Sequence, residues 1–268
     1  MRAEPDPQPA ASTEMLDSEY LRMARLESDL WWYRSLHADL LDRIRAHCGG
    51  DHAIRILDAG CGTGGFLRYL RDAGFSNCVG LDISPLAVAQ CRNQGLEVLQ
   101  GSIANEEDLA RAGTADVVVA MDVICSLPDT RQRVDFFRAA CRVLNAGGLL
   151  IVQTPAFACL GGIHDLAVGV NQRYAKKEMR ALLRQAGIEA CTLRYRLVLL
   201  APLVFVVRGL QRLRLRLFRS VKIESDVKMP PRALDALLFH LQRFEDRWLP
   251  LRPFGSSLQI LMTKAQPA

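Results

Sequence analysis

Residues 56–70 read ILDAGCGTGGFLRYL. A short apolar run ends at Asp58, three glycines (Gly60, Gly62, Gly64) crowd into five positions, and helical periodicity follows. Glycines between a strand and a helix let the backbone turn tightly and come close to a ligand. Gly60, Gly62 and Gly65 also satisfy the G-x-G-x-x-G spacing of dinucleotide sites, which alone is a weak signal. Asp58 bears on the choice of ligand. A carboxylate two residues before the turn repels a pyrophosphate and suits a cationic ligand. Asp82 closes the next apolar run, 24 residues on. An acid there accepts two hydrogen bonds from a ribose diol, so it points to an adenosine ligand without choosing between cofactors.

Working outward, strand and helix patterns alternate at short intervals. Strands are predicted over AIRILD (residues 53–58), CVGLDIS, LEVLQGS, ADVVVAMD, LLIVQTP, IEACTLRYRLVLL (residues 188–200) and SSLQILMTK. Helices are predicted over residues 65–73, over PLAVAQCRNQG with Pro85 in its first turn, over TRQRVDFFRAACRVLNAGG closed by Gly147 and Gly148, and over AKKEMRALLRQAG. The β-branched run Val117–Val119 is typical of a strand buried on both faces. This alternation argues an α/β fold: a Rossmann-like, doubly wound, mostly parallel seven-stranded sheet, with ligands at the carboxyl ends of its strands. A helical segment precedes the sheet and a helical insertion precedes the last strand. The chain divides into a disordered tail (1–14), a helical cap (15–50), a cofactor-binding core (51–192), a helical insertion or lid (193–254) and a last strand with its tail (255–268).

Four segments, ILDAGCGTGGFLRYL, VGLDISPLAVAQC, ADVVVAMDVICSLPD and RVLNAGGLLIVQTP, stand in the order and spacing of class I S-adenosylmethionine-dependent methyltransferases, and the chain resembles that family over about residues 54–191. The resemblance implies S-adenosylmethionine as cofactor. It implies Asp58, Gly60, Cys61 and Gly62 along the methionine part, Asp82 and Ile83 at the ribose, Ser102 and Ile103 at adenine, and Met121 and Asp122 at the amino-acid end. It implies methyl transfer to oxygen, nitrogen or carbon of a small, hydrophobic or aromatic acceptor. The competing readings are an NAD(P)-dependent oxidoreductase on the glycine turn and a non-catalytic interaction protein on the same fold.

The chain departs from the family after the fourth strand. Many small-molecule members carry a Glu-His pair there, and this chain reads VICSLPD, with Cys125 and Ser126 instead. No catalytic metal is therefore expected. The loop TPAFACLGGIHDLAVGVNQRY contains His164 and Asp165, candidates for taking a proton from a hydroxyl acceptor. Tyr174, with Arg173, resembles a signature of a methyltransferase subgroup. WWYRSLH, ahead of the sheet, cannot turn all its rings to one core. Trp32, Tyr33 and Arg34 are candidate cleft residues, Arg34 toward the cofactor carboxylate.

The net charge of +5 is local. Arg208, Arg212, Arg214, Arg216, Arg219 and Lys222 lie in one stretch without an acid, and the remaining chain holds 28 basic against 29 acidic residues. That excludes nucleic-acid binding by the whole surface and leaves peripheral membrane contact through residues 208–222 as an expectation. Leu234, Leu237, Leu238, Leu241, Phe244 and Trp248 form a second apolar stripe in the insertion, read as a lid packed on the sheet edge. None of the eight cysteines is spaced C-x-x-C, and they are read as reduced thiols of a cytoplasmic protein.

Overall fold

The computed structural model describes residues 15–217 and 228–266, without the side chains of Ile163 and of residues 210–217. The tail at 1–14, Arg219 and Lys222, and the side chains of Arg212, Arg214 and Arg216 lie outside the described residues.

Helices α1 (Asp17–Leu26) and α2 (Trp31–Cys48) precede an alternating core: β1 (Ile56–Ala59), α3 (Gly65–Asp72), β2 (Cys78–Asp82), α4 (Pro85–Asn93), β3 (Val98–Gln100), α5 (Glu106–Arg111), β4 (Ala115–Met121), α6 (Thr130–Val143) and β5 (Leu144–Pro155). Then come α7 (Ile163–Ala167), α8 (Lys176–Gln185), β6 (Thr192–Arg196), α9 (Ala201–Leu217), α10 (Arg232–Trp248) and β7 (Ser257–Thr263). The strands form one sheet in the order β3-β2-β1-β4-β5-β7-β6. It is parallel except for β7, which runs antiparallel to both β5 and β6. The chain winds outward from β1 to β3 and then crosses back to β4, so β1 and β4 flank the switch point where ligands of such sheets bind.

Successive side chains of a strand face opposite ways. In β4, Val118 joins the core with Leu57, Phe136, Phe137 and Leu150, while Val117 and Val119 join Leu36, Leu40, Ile56, Phe66 and Ile151 on the other face. Helices therefore cover both sides of the sheet, α2 and α3 on one and α6 on the other, and the central strands carry no polar face.

Several boundaries differ from the pattern reading. The helix expected to end at Gly147 and Gly148 ends at Val143, because Leu144 already pairs with Ala115 and Gly147 donates its N–H to Lys264 O. The strand expected over residues 188–200 is only Thr192–Arg196, ended where Leu197 takes a left-handed φ of 58°. Helix α5 had no clear pattern. Its N-terminus is made by Asn105, whose side chain accepts from the N–H groups of Glu107 and Asp108.

The largest departure is α10. Its expected apolar stripe is mostly at the surface, with Leu234, Leu237, Phe244 and Trp248 exposed, while Asp235, Gln242 and Glu245 are buried. The polar face is inward because it meets strong donors there. Asp235 accepts from Trp31 N–H (2.9 Å) at the start of α2 and from Arg34 Nη1 (3.1 Å). Glu245 accepts from Leu199 N–H (3.0 Å). Asp246 accepts from Arg196 Nε (2.9 Å) and Nη2 (2.6 Å). These charge-assisted bonds hold α10 against α2 and the end of β6.

Arg196 is buried and its guanidinium is held charged by Asp246 and Asp39, whose attraction exceeds the cost of burial. Removing one partner of such a pair leaves an uncompensated buried charge. Asp246→Ala is expected to cost about 3–5 kcal/mol of unfolding free energy, read from urea titration. Arg196→Met in the same background should recover part of it.

Candidate functional site

The glycine turn is stapled to the neighbouring strand. Gly60 and Cys61 donate their N–H groups to Leu81 O, at 2.7 and 3.1 Å. Asp82 Oδ2 accepts from Gly62 N–H (2.7 Å), and its Oδ1 accepts from Ser84 N–H (2.9 Å) and Tyr20 Oη (3.4 Å). All three glycines of the turn take a left-handed φ, Gly64 at +83° among them. Gly60 (φ +84°) and Gly62 (φ +53°) are left-handed, and a Cβ on Gly60 would stand 2.6 Å from Val123 Cγ2. At Gly62 the constraint is the left-handed backbone, since the atom nearest an added Cβ, Met23 Cε, is the movable end of a side chain.

Asp58 lies at the centre of this arrangement. It is fully buried, and neither carboxylate oxygen has a hydrogen-bond partner among the described residues. Burial, followed by the charges of Asp82 and Glu27, pushes its pKa up to about 8. Burial likewise raises Asp82, against the hydrogen bonds it accepts from Ser84, Gly62 and Tyr20. An unpartnered carboxylate beside a bare backbone turn is an acceptor that a cationic group satisfies. S-adenosylmethionine, with an ammonium and a sulfonium, fits that test. A pyrophosphate does not, facing Asp58, Asp82 and Glu27 together.

Asp122 follows β4 with φ 52°, unusual for a residue with a side chain. Its Oδ2 accepts from Gln153 Nε2 (2.9 Å), and the protein around the carboxylate raises its pKa by desolvation. Gln153 in turn accepts from Arg196 Nη1 at 3.0 Å. Met121 packs against the α2 side of the core. At β3, Ser102 donates its N–H to Asp108 Oδ2 (2.8 Å), Ile103 is buried, and Ile83 is exposed beside Asp82. Cys61 is buried, its thiol raised well above the ordinary range by a hydrogen bond with Cys91, then by burial.

The cap covers this cleft. On α1, Tyr20 reaches Asp82 and Met23 sits over Gly62, and just past its end Glu27 stands against Gly65 and binds Arg68. Trp32 and Tyr33 meet edge to face at 4.7 Å. Burial raises the Tyr33 phenol, with the charges of Glu27, Asp122 and Glu19 adding to the shift. Tyr33 and His164 line one cavity of about 50 Å³ together with Glu19, Met23 and Val168. A larger cavity of about 370 Å³ lies beside the start of α3, lined by Glu27, Arg34, His37, Gly65, Arg68 and Phe239 among others.

The other sequence candidates take defined positions. Asp165 gives both oxygens to Arg173, at 2.7 Å from Nε and from Nη2, and Arg173 Nη1 donates to Ala156 O. That pair ties α7 to the end of β5. Tyr174 donates its N–H to Pro155 O, and burial raises its phenol to about 12. Arg34 is held by Asp235 and lies over the Phe239 ring, 4.4 Å from its centroid. Sequence reading missed Tyr20, Met23 and Glu27, because nothing in a helical pattern says which cleft the helix covers. It also missed Gln153, whose signal was present: one amide in the apolar run LLIVQTP. Among the described residues no three His, Cys, Asp or Glu gather as a metal site.

The Methyltransferase domain family matches residues 31–193. A probable S-adenosylmethionine-dependent methyltransferase of Mycobacterium tuberculosis is 34% identical over 132 residues, 48% of this chain and 44% of that protein. A ubiquinone biosynthesis O-methyltransferase of Colwellia psychrerythraea is 31% identical over 110 residues, 39% of this chain and 43% of that one. The chain thus matches less than half the length of these relatives. The S-adenosylmethionine-bound structure of an amino pentose methyltransferase of Micromonospora echinaspora shares the fold, with a TM-score of 0.55 at 18% identity over 94% of this chain and 99% of that one.

Asp58 gives a signed pH dependence. Its folded pKa of about 8 lies above the ordinary carboxylate value. Between about pH 4 and pH 8 the folded state therefore holds a proton that the unfolded state has lost, and this group's contribution to stability falls as pH rises through that window. Asp58→Asn removes the penalty. Its stability relative to wild type should grow from about pH 4 to about pH 8 and level off above, in urea unfolding across that range.

Proposed function

The chain belongs to the class I S-adenosylmethionine-dependent methyltransferases, and we propose that it transfers a methyl group to an oxygen, nitrogen or carbon of a small hydrophobic or aromatic acceptor. The observation that carries the reading is the unpartnered, buried Asp58 beside the bare backbone of Gly60–Gly62.

S-adenosylmethionine supplies a methyl group already activated on a positively charged sulfur. What remains for the protein is alignment, exclusion of water and, for a hydroxyl acceptor, removal of a proton. Asp82 would accept from the ribose hydroxyls of the bound cofactor. Asp58 and Asp122 balance the positive charge of the methionine part. Ser102 and Ile103 would hold the adenine. Tyr33 and α1 cover the cleft and keep water out.

Support for an apolar acceptor comes from the segment just past β5. Phe157, at φ 54°, stacks on Tyr195 with centroids 4.9 Å apart, and Phe205 of α9 lies 6.5 Å from it. His164, in the cavity with Tyr33, is the group positioned to take a proton from a hydroxyl. Asp165, committed to Arg173, acts in this reading as a fastener of α7.

Isothermal calorimetry tests the cofactor site. Asp82→Ala should weaken S-adenosylmethionine binding by about 1–3 kcal/mol, and unchanged affinity would remove Asp82 from the site. Incubating the full chain with radiolabelled S-adenosylmethionine and a fractionated metabolite extract tests the reaction, with label expected in the organic-soluble fraction. EDTA should leave that turnover intact. Loss with EDTA, restored by a divalent ion, would contradict metal-free transfer.

A further inference from the structure

Scattered apolar residues on a surface are ordinary, but a helix-long stripe of them is not. On α10, Leu234, Leu237, Phe244 and Trp248 recur at the spacing of one helical face, with Leu237 62% and Trp248 66% exposed. Leu251, just after the helix, is 79% exposed. On α9, Leu203 and Val206 are exposed at 61% and 60%. The exposure is built in. Asp235 and Glu245 hold the opposite face of α10 to Trp31 and Leu199, so the helix cannot roll its stripe inward without breaking buried charge-assisted bonds.

The charge around these helices selects the occupant. The sequence from Arg208 to Lys222 carries six basic residues and no acid; after Glu224 and Asp226 come Lys228, ahead of α10, and Arg232, its first residue, both exposed. Two copies of this chain joined through the insertion would bring those charges together. An anionic lipid surface instead neutralises them while receiving the apolar stripe. Tryptophan is also enriched at membrane–water interfaces, where one end of its ring system meets acyl chain and the other stays wet. Among the described residues no helix is long and apolar enough to cross a membrane, so the contact is one of lying on the surface.

We propose that α10 docks this protein on an anionic membrane surface, with the Leu234–Leu237–Phe244–Trp248 stripe at the headgroup boundary and Lys228 and Arg232 against lipid phosphates. This stands independently of the methyl-transfer reading.

The test is sedimentation of the full chain with vesicles of phosphatidylcholine and phosphatidylglycerol in equal parts, and with phosphatidylcholine alone. The wild type should pellet with the anionic vesicles at low salt and be released as salt rises. Leu237→Glu/Phe244→Glu/Trp248→Glu should lower the apparent affinity about tenfold or more. Lys228→Glu/Arg232→Glu, which keeps the stripe, should lower it about fivefold per charge. Trp248 emission should shift to the blue on binding, a shift that Trp248→Phe should diminish. Circular dichroism shows whether each variant is folded, and the charge variant keeps the test valid if the triple variant is not. Three results overturn the proposal: no pelleting of wild type with anionic vesicles at low salt, pelleting that survives both sets of substitutions, or a wild-type dimer by light scattering that the triple variant loses while vesicles go unbound.

Discussion

Asp82 holds the site together. One carboxylate receives the N–H of Gly62 from the glycine turn, the N–H of Ser84 from the start of α4, and the hydroxyl of Tyr20 from α1. Three segments distant in sequence are thereby fixed to the end of β2. Hydrogen bonds to an ionised acceptor are the strong ones, and several on one group order the backbone that supplies them. The glycine turn can be bare and close to a ligand because this acid, rather than side chains of its own, keeps it in place. The cost is a second acid nearby: Asp58 is buried with no donor, and the charge of Asp82 makes its ionisation harder still.

A second chain of contacts runs from the cleft to α10. Asp122 is held by Gln153, Gln153 by Arg196, and Arg196 by Asp246 of α10. Polar groups buried in series are stable only if every member is satisfied, which fixes the orientation of each. It also explains the inversion of α10. The helix puts its acids inward because Arg196 and the N–H of Trp31 need acceptors, and the apolar residues take the outer face by default.

Most of the core was legible in the sequence. The glycine turn, Asp82 at a strand end and the two-faced run Val117–Val119 rest on local geometry that periodicity and spacing report directly. Elements whose limits depend on distant partners were not legible. Leu144 leaves the helical pattern because Ala115 pairs with it, and β6 stops where Leu197 turns out of the sheet. The stripe of α10 was visible and its orientation was not, since an amphipathic pattern shows two faces without saying which one a buried arginine will claim. In the site, Asp58 and the glycines stood out by composition, whereas Tyr20, Met23 and Glu27 owe their place to the angle at which α1 crosses the turn. The Arg173–Asp165 pair was hidden for a similar reason: an acid beside a histidine in sequence turned its oxygens to an arginine eight residues away.

The position of β7 bears on how the molecule is made. It lies between β5 and β6 and pairs with β5 from Leu149↔Thr263 to Pro155↔Ser257, a closure over 114 residues at its widest. During synthesis β1 to β5 emerge with their crossover helices and can begin to pair, but β6 has no neighbour until β7 leaves the ribosome. In that interval the open edge of β5 and the outward stripe of α10 are exposed together, an unpaired strand edge beside apolar surface. Slow, long-range pairing of this kind places the hazard of misassembly between the synthesis of β5 and that of β7, and makes β7 the strand that joins β6 to the sheet.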